Sequence, residues 1–325
     1  MKIMSLDLKY GEITVISRDG GPLSLSGKST VLALGTFDGV HIAHRQLLGR
    51  AVTLRDELGA NLCGAFCFTE SPISFLFGVH VPQISTPEQK MELMFASGLD
   101  FVAVCDFAAF CNVGAREFVL DVLKERLGGI GAVCGFNHRF GAGGVGNSEL
   151  LCELLGHKNV ITIPEVKIDG VTVSSSEIRG YLADGNIEMA NKMLGRRFCL
   201  CSEVLRGKRL GRTIECPTTN QRFPANSVSL KRGIYASLCT TEDGQTYIGA
   251  SNVGIRPSID GAIDDHTPNC ETLIADFSRD IYGQDLKIEF CHYLRGEQKF
   301  SSLDELKTAI QGDLAKAVNL LGNDK

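Results

Sequence analysis

The sequence predicts a doubly wound α/β domain followed by a small antiparallel β-barrel that ends in a C-terminal helix. Apolar runs of strand length recur from residue 30 to about residue 165, and segments with apolar residues at helical spacing separate them. Beyond about Phe198 the pattern changes to short β-like pieces with turn signals between them. The 325 residues, 44% of them hydrophobic, are enough to build two domain cores.

Buried parallel strands explain the apolar runs of the first domain, because helices cover both faces of such a sheet. The predicted strands are VLALGTF, LCGAFCF, FVAVCDF, IGAVCGF and NVITIPEV. The predicted helices between them are HRQLLGRAVTLRDEL, PEQKMELMFAS, AREFVLDVLKERL and SELLCELLG. The second helix has a capping hydroxyl on Thr86, Pro87 in its first turn and the acid Glu88 behind it. A sheet of this kind holds its ligand crevice at the carboxyl ends of its strands.

The predicted barrel follows two short helices, SSEIRGYLADG and NIEMANKMLG. We place the domain boundary near Arg197, which gives domains of residues 1–197 and 198–325. Barrel strands are predicted at GIYASLCTT, TYIGASNVG, TLIADFS and LKIEFCHYL, and the amphipathic helix SLDELKTAIQGDLAKAVNLL closes the chain.

The bulk charge and hydropathy narrow the class of protein. Thirty-three basic and 38 acidic residues give a net charge of −5 without a long basic run, which argues against nucleic acid as the main partner. No apolar run approaches the roughly 18 residues of a membrane helix. Asp7, Lys9 and Glu12 stand where a secretory signal would be apolar. We therefore expect a cytoplasmic protein without a membrane partner, whose oligomeric state the sequence does not indicate.

The chain has twelve cysteines, scattered mostly through apolar segments such as LCGAFCF and FVAVC. The nearest two, Cys199 and Cys201, do not form a C-x-x-C pair. This distribution predicts small buried apolar residues rather than a disulfide framework or a metal cage.

The stretch GTFDGVHIAH, residues 35–44, joins a predicted strand to a predicted helix and sets His41 and His44 three positions apart. A helix N-terminus offers unpaired N–H groups and the positive end of a dipole, so it suits phosphate, and the two imidazoles add donors there. Gly35, Asp38 and Gly39 fall where the backbone must bend closely around a ligand. We interpret the stretch as a triphosphate site, with half of a metal site or two incidental surface histidines as the alternatives.

Two further segments suit phosphate. Ser174 to Ser176 stand at a predicted helix start with Arg179 one turn inside, and together they can hold the β- and γ-phosphates, although serine caps also occur without a ligand. The stretch GAGGVG, residues 141–146, satisfies the dinucleotide pattern G-x-G-x-x-G, but it follows a later strand instead of the first one. We interpret it as a mobile glycine loop that borders the nucleotide crevice, with a dinucleotide site as the alternative.

GTFDGVHIAH resembles the G-x-F-D-G-x-H-x-G-H motif of nucleotidylyltransferases, in particular the adenylyltransferase half of the bacterial bifunctional riboflavin kinase/FMN adenylyltransferase family. The resemblance implies catalytic roles for His41 and His44. It also implies ATP-binding positions at Gly35, Phe37, Asp38 and Gly39. Ala43 stands where the family has glycine. Adenylyl transfer needs no protein nucleophile, so positioning and neutralisation of charge are what such residues supply.

Two more segments extend this resemblance. TVSSSEIRGYL resembles the family's I-S-S-T-R-I-R motif, and Ser175, Ser176 and Arg179 match its phosphate-binding positions, while Glu177 replaces an arginine. CGFNHRFG resembles the family's v-G-x-N/D-F-x-F-G. It places Asn137 at the nucleotide or acceptor phosphate, and His138 replaces the usual aromatic residue. Without the resemblance, Asn137 reads as a turn residue after a strand.

RGKRLGRTIECPTTN, residues 206–220, resembles the family's riboflavin kinase motif. The resemblance implies that four of its residues bind the nucleotide, namely Gly207, Gly211, Arg212 and Pro217. It implies that Thr218 and Asn220 supply hard oxygen ligands to Mg²⁺. Glu215 and Cys216 depart from the family's Gly-Phe and add a carboxylate beside the phosphates, and Ser202 replaces a glycine ahead of this loop.

The segment NCETLIADF implies, by the same resemblance, that Glu271 is the base that takes the proton from the terminal hydroxyl of riboflavin. LRGEQKF places Arg295 at the flavin side. We expect an enzyme that phosphorylates riboflavin to FMN and adenylylates FMN to FAD, with Mg²⁺ as cofactor and ATP as co-substrate of both steps. A relative with one active half and a non-catalytic flavin-binding regulator are the alternatives.

Overall fold

The computed structural model describes residues 4–6, 12–206, 216–255 and 268–322, with side chains described from residue 12 onward. The chain divides into two compact units, Met1–Ser175 and Ser176–Lys325. Among the described residues, no helix is both long enough and apolar enough to cross a membrane.

The first unit is built on a seven-stranded sheet in the order β1-β2-β5-β4-β3-β6-β7, with a separate pair β8-β9. Its strands are β1 (Met4–Leu6), β2 (Ile13–Ser17), β3 (Thr30–Leu34), β4 (Leu62–Phe68), β5 (Phe101–Cys105), β6 (Gly129–Gly135), β7 (Val160–Ile163), β8 (Lys167–Ile168) and β9 (Val171–Thr172). Its helices are α1 (Ile42–Leu58), α2 (Pro72–Phe77), α3 (Pro87–Ala96), α4 (Phe107–Phe110), α5 (Ala115–Glu117), continued by a π-helical segment (Phe118–Arg126), and α6 (Ser148–Leu155). Short 3-10 turns span Asp38–Val40, Ala142–Gly144 and His157–Asn159.

Strands β3 to β7 are parallel to one another, and apolar side chains cover both faces of this part of the sheet. On β3, Leu32 and Leu34 join one buried cluster while Val31 and Ala33 join the other. The second cluster includes Leu47 and other residues of α1. The predicted doubly wound α/β domain is therefore confirmed, and the strand order reverses between β3 and β6, which is where such sheets bind ligands.

The predicted start of α3 is confirmed in detail, because Thr86 and Gln89 form a reciprocal capping box with Pro87 in the first turn. The antiparallel edge of the sheet was not predicted from the sequence. There β2 pairs with β5, and β1 pairs with β2.

In its described residues, the second unit contains three helices and one six-stranded antiparallel sheet in the order β10-β15-β12-β13-β14-β11. Its helices are α7 (Ser175–Asp184, which begins at the last residue of the first unit), α8 (Ile187–Leu194) and α9 (Leu303–Leu321). Its strands are β10 (Phe198–Glu203), β11 (Thr218–Arg222), β12 (Gly233–Thr241), β13 (Thr246–Gly254), β14 (Asn269–Ile274) and β15 (Asp285–Arg295). The predicted antiparallel barrel with its C-terminal helix is confirmed as a curled sheet of this kind, although β10 and β11 were not among the predicted strands.

The two edge strands of the curled sheet approach each other through Gln221. Its buried Nε2 donates to the carbonyl oxygens of Ser202 on β10 and Leu286 on β15, both at 2.7 Å. A buried amide that finds two acceptors stabilises this closure, because an unpaired polar group there would be penalised by its lost hydration.

Helix α9 covers the outer face of strands β12 to β14. Leu306, Ile310 and Leu314 pack against Leu273 and Cys216, and the end of the helix packs against Ala236 of β12. The inner face of the same strands is lined by hydroxyl groups, where Ser251 Oγ lies 2.7 Å from Ser237 Oγ and 2.8 Å from Thr272 Oγ1.

All twelve cysteines lie in the described ranges as free thiols, and eight of them are buried. Burial raises the pKa of several, for example that of Cys63 to about 12, so these thiols stay protonated at neutral pH. The prediction that the cysteines act as small buried apolar residues is confirmed for these eight.

Candidate active sites

The loop between β3 and α1 has an uncommon backbone. Phe37 (φ 53°), Gly39 (φ 74°) and Val40 (φ 37°) all have positive φ, which glycine adopts freely and a β-branched residue such as valine rarely adopts. Conformations of this kind persist only where the surroundings over-determine them, and they cluster at functional sites.

Hydrogen bonds with three residues outside the loop hold it in place. The carboxylate of Asp38 accepts from Ile84 N at 3.0 and 3.3 Å, and Ser85 Oγ accepts from Gly39 N at 3.3 Å. Ser175 Oγ donates to the carbonyl oxygen of Asp38 at 2.9 Å. Asp38 and Ser175, which the sequence predicts at a phosphate, thus also fix the shape of the loop.

The ring of Phe37 is fully buried and folds back under the loop. A Cβ atom at Gly35 would lie 3.1 Å from its Cζ, so a side chain at this position would crowd the ring. The ring also meets that of His44 edge-on, with centroids 5.3 Å apart. Phe37 therefore supports the motif from inside, and its side chain does not face the crevice.

His41 and His44 form a stacked pair at the start of α1, with ring centroids 3.5 Å apart. His41 caps the helix, because its Nδ1 accepts from the backbone N–H of His44 at 3.3 Å. An accepting nitrogen carries no proton, so this ring is neutral with its proton on Nε2.

The second ring of the pair is neutral as well. Burial is the main cause that holds the pKa of His44 well below its usual value, and the positive charge of Lys90 adds to it. Its Nδ1 is buried without a hydrogen-bond partner among the described residues. The pair consequently provides uncharged N–H donors, and His44 Nδ1 is a buried nitrogen to which no described residue forms a hydrogen bond.

Asn137 and His138 follow β6, the strand beside β3 at the reversal of strand order. Asn137 is exposed in a turn that the His138 N–H closes on Gly135 O at 3.1 Å, so it occupies a turn and also borders the predicted crevice. The His138 ring stacks on Phe140 with centroids 5.8 Å apart. Burial lowers the pKa of His138 to about 4.

This lowered pKa predicts acid sensitivity of the N-terminal unit. In the unfolded chain His138 has a pKa of about 6.5, so below that pH the unfolded state binds a proton that the folded state does not bind. The free energy of unfolding therefore decreases as pH falls from about 6.5 towards about 4. We expect His138→Phe to reduce the drop in the free energy of unfolding between about pH 7.5 and about pH 5 by about 2 kcal/mol. Urea denaturation at both pH values measures this, and an unchanged drop would contradict it.

Ser176, Glu177 and Arg179 lie in the first turns of α7, and the division between the two units falls between Ser175 and Ser176. Ser176 and Glu177 are exposed. The contact of Ser176 with phosphate, like that of Arg179, stays a prediction, and Glu177 is the departure that replaces the family's arginine.

The glycine loop of residues 141–146 is closed by a β-bridge between Phe140 and Gly146. A Cβ at Gly141 (φ 73°) would lie 2.5 Å from the Cα of Ala115, so packing against α5 already requires glycine there.

Ala43, which replaces the family's glycine, lies half-buried in the first turn of α1. Alanine fits a helix better than glycine, so we expect Ala43→Gly to lower the free energy of unfolding by about 0.5–1 kcal/mol and to leave FAD formation no faster. Thermal denaturation and initial rates of FAD formation from FMN measure the two effects. A rise in rate of about tenfold or more would mean that the methyl group obstructs the site.

A cavity of about 240 Å³ lies in the second unit between the outer face of the sheet and α9. It brings together three residues that the sequence predicts from separate motifs, Thr218, Glu271 and Arg295. Both apolar and polar residues form the rest of its wall, namely Cys216, Ile234, Ala250, Asn252, Leu273, Glu297, Gln298, Phe300, Leu306, Ile310 and Asp313.

The strand register places three polar side chains, in or next to the cavity wall, in one row. Asn220 on β11, Glu271 on β14 and Asn252 on β13 are directly opposite one another. The row continues through Ile234 on β12 to Arg295 on β15. Directly opposed side chains share a face with Cβ atoms roughly 4.5–5.5 Å apart, so these groups can act on one ligand.

Two neighbours fix the charged groups of the cavity. Asn269 Nδ2 donates to Glu271 Oε1 at 3.2 Å. The guanidinium of Arg295 forms a bidentate ion pair with the buried carboxylate of Asp313 on α9, with nitrogen–oxygen distances of 2.6 to 3.1 Å. Arg295, predicted at the flavin, therefore also ties α9 to the sheet.

Pro217 is exposed directly before β11, while Asn220 and Thr218 lie on that strand, two positions apart on one face. The predicted nucleotide residues Gly207, Gly211 and Arg212, and the departure Glu215, lie outside the described residues. Cys216 is buried against α9.

Sequence reasoning missed Asn252, Asn269 and Asp313. Asn252 carries no signal of its own, since its role depends on cross-strand register. Asn269 precedes Glu271 by two positions on one strand, so it could have been found as a neighbour on the same face. Asp313 does carry a signal in the sequence, because it is a charged residue on the apolar face of an amphipathic helix, next to the half-buried Leu314.

Comparison with known proteins assigns both units. Residues 24–177 match the family model of FAD synthetase, and residues 194–321 match that of riboflavin kinase. The bifunctional riboflavin kinase/FMN adenylyltransferase of Pseudomonas fluorescens is 32% identical over 294 residues, which are 89% of this chain and 92% of the relative. That of Escherichia coli strain K12 is 32% identical over 302 residues, 91% of this chain and 94% of the relative.

A crystal structure of a macrolide-efflux protein from Streptococcus pneumoniae is also similar. It aligns with a TM-score of 0.82 and 26% identity over 90% of this chain and 95% of that one.

Together the fold, the cavity and the two domain matches define a two-domain transferase of flavin-cofactor synthesis. The chain belongs to the bifunctional riboflavin kinase/FMN adenylyltransferase family. It is an enzyme that forms FMN from riboflavin and FAD from FMN.

Proposed function

We propose that FMN is adenylylated at the crevice beside β3 and β6 and that riboflavin is phosphorylated in the cavity under α9. The observation that carries the kinase assignment is the meeting of Thr218, Glu271 and Arg295 in one cavity, although they come from three separate stretches of sequence. The proposed catalytic domains are residues 1–197 for adenylyl transfer and 198–325 for the kinase.

In the reaction that we assign to the crevice, a phosphate oxygen of FMN attacks the α-phosphorus of ATP. The bond from the α-phosphorus to the bridging oxygen breaks, and pyrophosphate leaves with that oxygen. His41 and His44 donate from neutral imidazoles to the growing charge, and the N-terminus of α1 adds its dipole. The buried nitrogen of His44 without a partner supports this role, since a ligand would supply what the described residues do not.

Three further groups serve positioning. Asp38, Gly39 and Ser175 hold the loop that presents the two histidines. Gly35 gives space to the ring of Phe37, and we assign Asn137, Ser176 and Arg179 to the phosphates as the family's motifs imply.

In the kinase cavity, Glu271 accepts the proton of the terminal ribityl hydroxyl while the oxygen of that hydroxyl bonds to the γ-phosphorus of ATP. The bond from the γ-phosphorus to the bridging oxygen breaks, and ADP leaves. Asn269 keeps the carboxylate aimed by donating to one of its oxygens. We keep Gly207, Gly211, Arg212 and Pro217 as nucleotide-binding residues on the resemblance alone.

Thr218 and Asn220 fit a magnesium ion by the chemistry of their donors. A hydroxyl and an amide oxygen two positions apart on one strand face are hard ligands beside the carboxylate of Glu271. Bound there, Mg²⁺ would neutralise charge on the phosphates of ATP. We also place the enzyme in the cytoplasm, because twelve free thiols suit a reducing compartment.

A two-substrate assay tests the proposal. Purified protein with ATP and Mg²⁺ is given either riboflavin or FMN, and the flavins are separated by chromatography. We expect FMN and FAD from riboflavin, and FAD from FMN. FAD from FMN but none from riboflavin would leave only the adenylyltransferase active, and binding of flavin without any product would make the protein a regulator.

A further inference from the structure

The cavity under α9 contains an acceptor that no described residue satisfies. Asn252 Oδ1 is buried, and it has no hydrogen-bond partner in the described part of the chain. Asn252 belongs to the wall of the cavity, on the face of β13 that α9 covers. A buried polar atom left unpaired is penalised by its lost hydration, so a ligand group that donates to it would bind with a gain.

The position of Asn252 restricts what that ligand group is. Phosphate oxygens of ATP only accept, so they would oppose the amide oxygen. Asn252 and Asn220 flank Glu271 on opposite sides, since the strand order is β13-β14-β11. The oxygens that suit Mg²⁺ are therefore on the β11 side of Glu271, and Asn252 is on the other side.

The apolar side chains nearest to Asn252 favour an uncharged organic group, and Arg295 lies one strand further along the row, beyond Ile234. Ile234 is its cross-strand partner on β12, and Ala250 and Leu273 form the next row of the same face. A hydroxyl group on a carbon chain combines the O–H donor that Asn252 needs with carbon atoms that suit these side chains.

We infer that Asn252 Oδ1 accepts a hydrogen bond from the ribityl hydroxyl next to the one that is phosphorylated, and so selects for a polyol chain. This inference rests on the proposed kinase site, in which Glu271 meets the terminal hydroxyl. The neighbouring hydroxyl of the chain then reaches the residue beside Glu271 in the row.

The test compares riboflavin with an analogue that lacks only that hydroxyl. We expect the wild type to prefer riboflavin by about 10- to 100-fold in kcat/KM, because the analogue leaves the buried acceptor unpaired. In Asn252→Ala the preference should fall to within about threefold of unity, because no acceptor remains to be satisfied. The ratio of the two substrates on one preparation is independent of the fraction of protein that is folded.

Asn226→Ala is the matched control, since Asn226 is an exposed asparagine of the same unit and is not part of the cavity wall. It should keep the preference of the wild type. A preference that survives in Asn252→Ala overturns the inference while the kinase function stands. A higher Mg²⁺ requirement with an unchanged preference also overturns it, and makes Asn252 a metal-side residue. A wild type that makes no FMN from riboflavin overturns both the inference and the proposed function.

Discussion

The Glu271→Ala variant is expected to lose FMN formation by about 100- to 10,000-fold and to convert FMN to FAD at the wild-type rate. Glu271 is the carboxylate at the centre of the polar row, between Asn220 and Asn252, and it lines the cavity. Without it no described side chain of that row can take the proton from the attacking hydroxyl. Both activities are measured separately, with riboflavin or FMN as the flavin, by chromatography of the products.

Two companion variants sharpen this result. Glu271→Gln keeps the size and the hydrogen-bonding capacity of the side chain but not its proton-accepting carboxylate, so it should lose FMN formation as the alanine variant does. Glu203→Ala removes an exposed carboxylate of β10 outside the cavity and should leave both rates unchanged. An equal loss of both activities in Glu271→Ala would contradict the assignment of the two reactions to two sites.

The fold of the first unit was predictable because its strands are buried on both faces. Runs such as LCGAFCF carry that burial in their composition, and β4 is found at those residues. The antiparallel strand β2, which lies between β1 and β5, was missed because its five residues contain polar Thr14 and Ser17 and no turn signal links it to a partner. Pairing of β2 with β5 is a long-range contact that local pattern does not encode.

The barrel was harder to predict at its edges. The sequence of β11, TTNQR, is polar at every position. Its inward-facing residue Gln221 bonds to Ser202 and Leu286, where most strands would place an apolar side chain. An inward glutamine removes the period-two alternation on which a strand is recognised.

Site residues divide in the same way. The histidines of the stretch GTFDGVHIAH could be predicted as site residues, because a glycine turn before a helix is a local feature of the sequence. The uncharged state of His44 is not local, since it arises from burial and from Lys90 on α3, a separate part of the chain. Asn252 becomes a functional candidate only through the cross-strand register that sets it beside Glu271, whereas Asn269 lies two positions before Glu271 on the same strand and bonds to it.

His44→Ala should reduce FAD formation from FMN by about tenfold to a thousandfold and leave FMN formation from riboflavin intact. The ring is partnered by stacking on His41 and by the edge of Phe37, so it is held in place before a ligand arrives. Removing it takes away one donor to the charge that develops on the leaving pyrophosphate. His157→Ala, an exposed histidine of the same unit, is the matched control and should change neither rate.

The pH dependence of FAD formation separates a neutral donor from a cation at this position. Because the pKa of His44 lies well below its usual value of about 6.5, the ring stays uncharged as pH falls through about 6, where an ordinary histidine becomes protonated. We expect the ratio of wild-type to His44→Ala rates to stay constant between about pH 7.5 and about pH 6. A cationic His44 would instead make this ratio rise as pH falls, since protonation would strengthen its hold on the phosphates, and that outcome would overturn the neutral-donor mechanism.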